Sequence, residues 1–109
     1  MSEEIKVQSS SGNIFADLGL ANSDELLIKA ELVRQISNAI DASRLTQAEA
    51  ARMLGIDQPK VSALLNGKLS GFSTDRLFRF LNALGSDVEI RVIPQLKPTA
   101  QAHTRIVSV

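Results

Sequence analysis

The sequence predicts a mainly α-helical protein: a helix-turn-helix bundle followed by a C-terminal β-strand that joins two copies. Three observations carry this expectation. Between Thr46 and Gly67 the stretch TQAEAARMLGIDQPKVSALLNG holds two short helical patterns, each opened by a capping residue and closed by a glycine. Apolar residues recur at helical spacing on both sides of it, through 22–43 and 73–85. After Gly85 the period falls to two, and Asp87-Val88-Glu89-Ile90-Arg91-Val92-Ile93 alternates, rich in β-branched residues, up to Pro94.

Residues 1–22 read as an N-terminal arm. Ile5 and Val7 alternate over too short a run to define a strand, Ser9 to Gly12 reads as a turn, and Ile14, Phe15, Leu18 and Leu20 suit one helical turn clipped over the core or docked on a partner. The helix-turn-helix domain spans 23–85. Asn22 or Ser23 opens its first helix, with Glu25 three residues after Asn22 as a capping partner. Leu26, Ala30, Val33, Ile36, Ala39 and Ile40 supply the apolar stripe to about Ser43, and Glu31, Arg34 and Asp41 point to solvent.

Thr46 and Glu49 form a capping box: the hydroxyl accepts from an orphan amide of the first turn, and the carboxylate reaches back to the cap. Ala50, Ala51 and Leu54 share one side of this helix, and Gly55 lets the chain turn in a left-handed conformation. Asp57 caps the next helix. Pro59 sits in its first turn, where a missing N–H costs little, and Val61, Leu64 and Leu65 face inward. Small alanines at the contact and a tight turn give a helix-turn-helix. Lys68 to Phe72 is then a loop anchored by Phe72, and Ser73 caps a last helix whose buried side is Leu77, Phe80, Leu81 and Leu84.

A strand at 86–94 cannot satisfy its own backbone, so it needs a neighbour. One solution is the same strand of a second copy, antiparallel about a two-fold axis through Val88, Ile90 and Val92; the other is pairing within the chain, to Ile5–Val7 or Ile106–Val109. Residues 95–109 read as a tail.

The outward positions of the second motif helix, Gln58, Lys60, Ser62, Ala63 and Asn66, offer amide, ammonium and hydroxyl groups of a size that enters a DNA major groove. Gln58, Lys60, Ser62 and Ala63 are the candidate base readers; Gln47, Arg44, Asn66 and Lys68 are the candidate phosphate contacts. Formal charge is zero over the 109 residues, yet it is unevenly placed. Residues 1–43 carry seven acidic and three basic groups, and 44–79 carry three acidic and six basic, Arg44, Arg52, Lys60, Lys68, Arg76 and Arg79. A surplus of three cations predicts modest binding by one copy and a need for two on a palindromic site, readers roughly 34 Å apart.

Other chemistry finds little support. There is no cysteine for a disulfide or thiolate site, His103 has no second ligand at a usable spacing, and no phosphate loop or paired carboxylates occur, so neither catalysis, metal nor cofactor is expected. No apolar run approaches the ~20 residues that span a membrane, and MSEEIKVQ lacks a signal core, so a bacterial-type cytoplasm is the expected compartment.

These residues carry a family resemblance. Residues 46–84 resemble the XRE, or lambda-repressor-like, DNA-binding domain, in which a glutamine opens each motif helix, here Gln47 and Gln58, and the reader ends in Leu65-Asn66-Gly67. SSGNIFADLGL at 9–19, LIKAELV at 27–33, the stretch 46–73 and LNALGSDVEI at 81–90 are similar to small XRE-type antitoxins of the HigA kind. The resemblance implies a lambda-repressor-like fold, DNA contacts by Gln47, Gln58 and Asn66, repression of the protein's own operon, and a RelE/HigB-type ribonuclease toxin as partner. A solitary or phage-derived XRE-type regulator without a toxin is the alternative. Pro59 stands where related readers carry a small polar residue, so no base contact is carried to it.

Overall fold

The computed structural model describes residues 22–97 and 103–108, with the arm at 1–21, including the readings at Ile5–Val7 and 13–20, outside the described residues. Four α-helices follow one another: α1 (Asn22–Ala42), α2 (Gln47–Leu54), α3 (Gln58–Leu65) and α4 (Thr74–Ala83), with a 3-10 turn at Leu69–Gly71 before the last. Each of the three short helices starts at the capping residue the sequence marks. Thr46 Oγ1 accepts from Glu49 N at 3.1 Å while Glu49 accepts from Thr46 N at 2.8 Å. Asp57 accepts from Lys60 N at 3.0 Å, and Ser73 from Arg76 N at 3.2 Å.

The helices enclose one apolar core. α1 packs along α4 and also touches α3 and the 3-10 turn, while α2 rests on α3 and α4. Ala50 and Ala51 are buried, which brings α2 close to its neighbours; Val61, Leu64, Phe72, Leu77, Phe80 and Leu81 fill the space between helices. The α1 stripe differs from expectation in its first half. Ile28, Leu32, Ile36 and Ile40, each four residues from the last, are the buried row, whereas Leu26 is largely exposed and Ala30 faces outward. ELLIKAELV offers two competing stripes, and the row through Ile28 and Leu32 is the one the core receives.

The C-terminal strand is not formed. Residues 87–97 carry no strand, the described residues contain no sheet at all, and the architecture is all-helical. Val88 packs half-buried against the core, Ile90 is 68% and Val92 91% exposed, and no strand runs through Val88, Ile90 and Val92. Pairing with the described part of the C-terminus is also absent: Ile106 packs on the core without a ladder. The physical reason lies in the neighbours. α4 closes with Ser86 N donating to Leu81 O at 2.9 Å, and every described element beside the segment is helical, with its backbone already paired. Alternation suits a strand only where a second backbone lies alongside.

Candidate nucleic-acid interface

The reader candidate α3 is closed at both ends by its own residues. At its start Asp57 takes the Lys60 amide and Pro59 has none to offer, which leaves the Gln58 N–H as the open donor of the first turn. At its end Gly67 has φ 84°, which lets Gly67 N reach Leu64 O at 3.1 Å and Lys68 N reach Ala63 O at 3.0 Å. This is a Schellman closure; a side chain at Gly67 would meet no atom within 4 Å, so glycine is there for its backbone and not for space.

With Val61 and Leu64 buried and Leu65 half-buried, a turn of about 100° per residue fixes the outer face. Pro59, Ser62, Ala63 and Asn66 lie near its middle. Gln58 stands on one flank and Lys60 on the other, both exposed. Asn66 Nδ2 donates to Ser62 Oγ at 3.5 Å, a long and weak contact that a base edge or phosphate can replace. Of the candidate readers, Gln58 and Lys60 are thus exposed on opposite flanks, and Ser62 and Ala63 are half-buried between them. Lys68 is exposed just beyond, where the chain leaves α3.

Gln47 is exposed as the first residue of α2, and Arg44 is exposed three residues before it. Arg44 has φ 55°, the one positive φ outside glycine among the described residues. Its N–H donates to Asp41 O at 3.0 Å and Leu45 N to Ile40 O at 3.1 Å, the closure used at Gly67, here with an arginine in the glycine's place. Such a conformation costs a side-chain-bearing residue about 1–2 kcal/mol.

Charge is arranged as distinctly as shape. Outside the motif, Lys29 pairs with Glu25 at 3.5 Å, Arg34 with Glu31 at 2.7 Å, and Arg91 with Glu89, while Lys97 and Arg105 make no ion pair among the described residues. Within 44–79 each acid has a local task. Glu49 caps α2, Asp57 caps α3, and Asp75 pairs with Arg79 at 3.2 Å. Among the described residues no ion pair involves Arg44, Lys60, Lys68 or Arg76. The Glu49 carboxyl is held below its usual range first by the Thr46 backbone N–H, then by the Thr46 hydroxyl, with a Coulombic pull from Arg52 added. Glu31 is lowered in the same direction by hydrogen bonds from Arg34 and Gln35.

Sequence reasoning passed over Arg76 as one basic residue among six. Its guanidinium carbon lies 5.4 Å from the ring centroids of both Phe72 and Phe80, which themselves meet edge-on at 6.0 Å and 71°. The Phe72-Arg76-Phe80 spacing of four was a visible signal for this stack. Chemically, the surface offers hydrogen-bonding groups on a helix flanked by uncompensated cations. Among the described residues no cluster of His, Cys, Asp or Glu could hold a metal, and no helix is long and apolar enough to cross a membrane.

Comparison with known proteins agrees with this geometry. The helix-turn-helix domain family matches residues 14–93. A solved structure of a protein named as a candidate XRE family transcriptional regulator is 50% identical, with a TM-score of 0.69, over 82% of this chain and 98% of that one. No curated protein matches the chain.

Proposed function

This chain belongs to the helix-turn-helix domain family, and on that footing we propose that it is an XRE-type DNA-binding transcriptional regulator that represses from a palindromic operator. Gln58, Lys60, Ser62 and Ala63 contact base edges in the major groove; Arg44, Gln47, Asn66 and Lys68 hold the flanking phosphates. Ala63, near the middle of the face, offers apolar contact of the kind a thymine methyl accepts. The observation that carries the reading is electrostatic: Arg44, Lys60 and Lys68, on and beside the reader, make no ion pair among the described residues, while Lys29, Arg34 and Arg91 are each held by a carboxylate. Two copies occupy two half-sites, because an eight-residue reader with few cations binds weakly alone.

The test is a double substitution, Gln58→Ala with Lys60→Ala, measured on DNA from upstream of the coding region and on a mixed-sequence duplex. Removing a bidentate hydrogen-bonded pair with a base should reduce the preference for the upstream site by about 1–3 kcal/mol. Unchanged preference and unchanged salt slope would remove α3 from the role of reader.

The finer proposal is an antitoxin that regulates its own operon and neutralises a RelE/HigB-type ribonuclease, with a regulator lacking any toxin as the alternative. It is supported by the resemblance across 9–19, 27–33, 46–73 and 81–90 and by the acidic excess before the motif. In α1 that excess is smaller than it looks, since Glu25 and Glu31 are paired and only Asp24 and Asp41 lack an ion-pair partner among the described residues. The reading puts the inhibitory surface in the acidic front half or in the C-terminal segment. Cells expressing a toxin from the adjacent reading frame should be rescued by the full chain and lost when residues 1–20 or 94–109 are deleted; rescue by both deletions excludes both ends.

A further inference from the structure

Arginine normally meets the solvent or a carboxylate with its N–H edge, and its flat faces are left to stack. The Arg76 guanidinium carbon lies 5.4 Å from the centroids of both Phe72 and Phe80, and both rings are themselves buried in the core. The backbone is fixed as well, with Arg76 N held by Ser73 Oγ at 3.2 Å. What is left is a row of edge donors with no ion pair among the described residues, although Asp75 is adjacent in sequence and instead pairs with Arg79. Arg76 also stands at the far end of the loop whose near end carries Lys68, directly after the reader helix.

We propose that Arg76 is a DNA-phosphate contact, its guanidinium aimed by the Phe72–Phe80 pair at the backbone beside the loop that follows α3. The inference rests on the DNA-binding reading above and adds to it a site outside the motif. An arginine held by two rings has lost most of its rotamer freedom before it meets an anion, so less is lost on binding than for Lys68 on its flexible stem. The anion is a nucleic-acid phosphate and not a protein carboxylate, because Arg76 belongs to the same surplus as Arg44, Lys60 and Lys68. The contact positions the duplex and carries no sequence information.

The experiment uses the full chain and a fluorescent mixed-sequence DNA duplex of about 30 base pairs, titrated from about 50 to about 200 mM salt. Arg76→Met keeps the stem and removes the charge. Its slope of log affinity against log salt should be shallower by about 0.9, with binding about three- to fivefold weaker at the lowest salt. Arg76→Lys should restore the slope without restoring the affinity, since an ammonium on a flexible stem is not held between the two rings as a guanidinium is. A residue that merely covers the rings would alter thermal stability and leave the slope alone. Arg76→Met with the wild-type slope overturns the proposal while the reader assignment stands. If Arg76→Met melts without cooperativity, Arg76→Lys decides: wild-type affinity there overturns the aiming by the rings, and weaker binding at the wild-type slope supports it. Absence of any salt-dependent binding by the wild-type chain, with Lys60→Ala identical to it, sinks the DNA-binding reading and this contact together.

Discussion

Helix α3 and the segment at 87–93 are of nearly equal length, lie in the same chain and are both about half apolar, yet they end differently. α3 satisfies its backbone from within eight residues and their caps: Asp57 at one end, Gly67 and Lys68 at the other. Residues 87–93 have no such local solution, because a strand's donors and acceptors are met only by another backbone. α3 also places Val61 and Leu64 in a core assembled by three other helices, whereas Ile90 and Val92 find no apolar neighbour layer. Local closure and a waiting core together define an element; a pattern alone does not. Only the locally closed segment holds a fixed outer face.

The largest effect expected from this contrast is in the cores of the two segments. Leu64 has no exposed surface, and Leu64→Ala should cost about 2–5 kcal/mol, most of the stability of a domain this small. The corresponding truncation Val92→Ser should stay within about 0.5 kcal/mol, as expected of a surface position. Urea unfolding followed by circular dichroism measures both. A drop of more than about 1 kcal/mol for Val92→Ser would mean that the segment is anchored after all and would break the comparison.

What could be read from the sequence follows the same division. Thr46, Asp57 and Ser73 announced three helix starts because capping is a matter of residues three apart, and all three caps form, Thr46 with its expected partner Glu49. Gly55 and Gly67 announced the turns for the same reason. Features that depend on distant neighbours were less legible. The α1 stripe was shifted because α4, not α1, selects which of two apolar rows is buried, and the strand was inferred from period alone with no partner to receive it. The outward placement of Gln58, Lys60 and Asn66 was legible, being fixed by Val61 and Leu64 facing in. The Arg76 stack and the left-handed Arg44 were missed: one needs two rings brought together by the fold, the other a backbone angle that arginine gives no reason to expect.

Arg44 allows stability and binding to be moved in opposite directions. Arg44→Gly removes the left-handed strain of about 1–2 kcal/mol, offset by the greater freedom of glycine when unfolded, for a net gain of about 0.5–1 kcal/mol. If Arg44 holds a phosphate, the same change should weaken DNA binding and reduce the salt slope by about 0.9. Thermal unfolding and anisotropy titration on one preparation read both. A more stable protein with unaltered binding would show that the strained arginine is not a DNA contact.

The smallest effect concerns how much of the local closure is charge. Glu49→Gln keeps an acceptor for Thr46 N but removes the carboxylate from the first turn of α2, where the helix dipole favours it. Hydrogen bonds from Thr46 hold the Glu49 carboxyl below its ordinary value of 4.5, so the folded state binds that proton less readily than the unfolded chain does. Stability from this group is therefore present in full above the unfolded value and is lost as pH falls through the folded one. The wild type should melt above Glu49→Gln near neutral pH, with the gap closing progressively below pH 4.5. Glu31 is lowered in the same direction, but it is common to both proteins and cancels in the difference. A gap that persists undiminished down to about pH 3 would show that the α2 cap depends on geometry and not on the charge of Glu49.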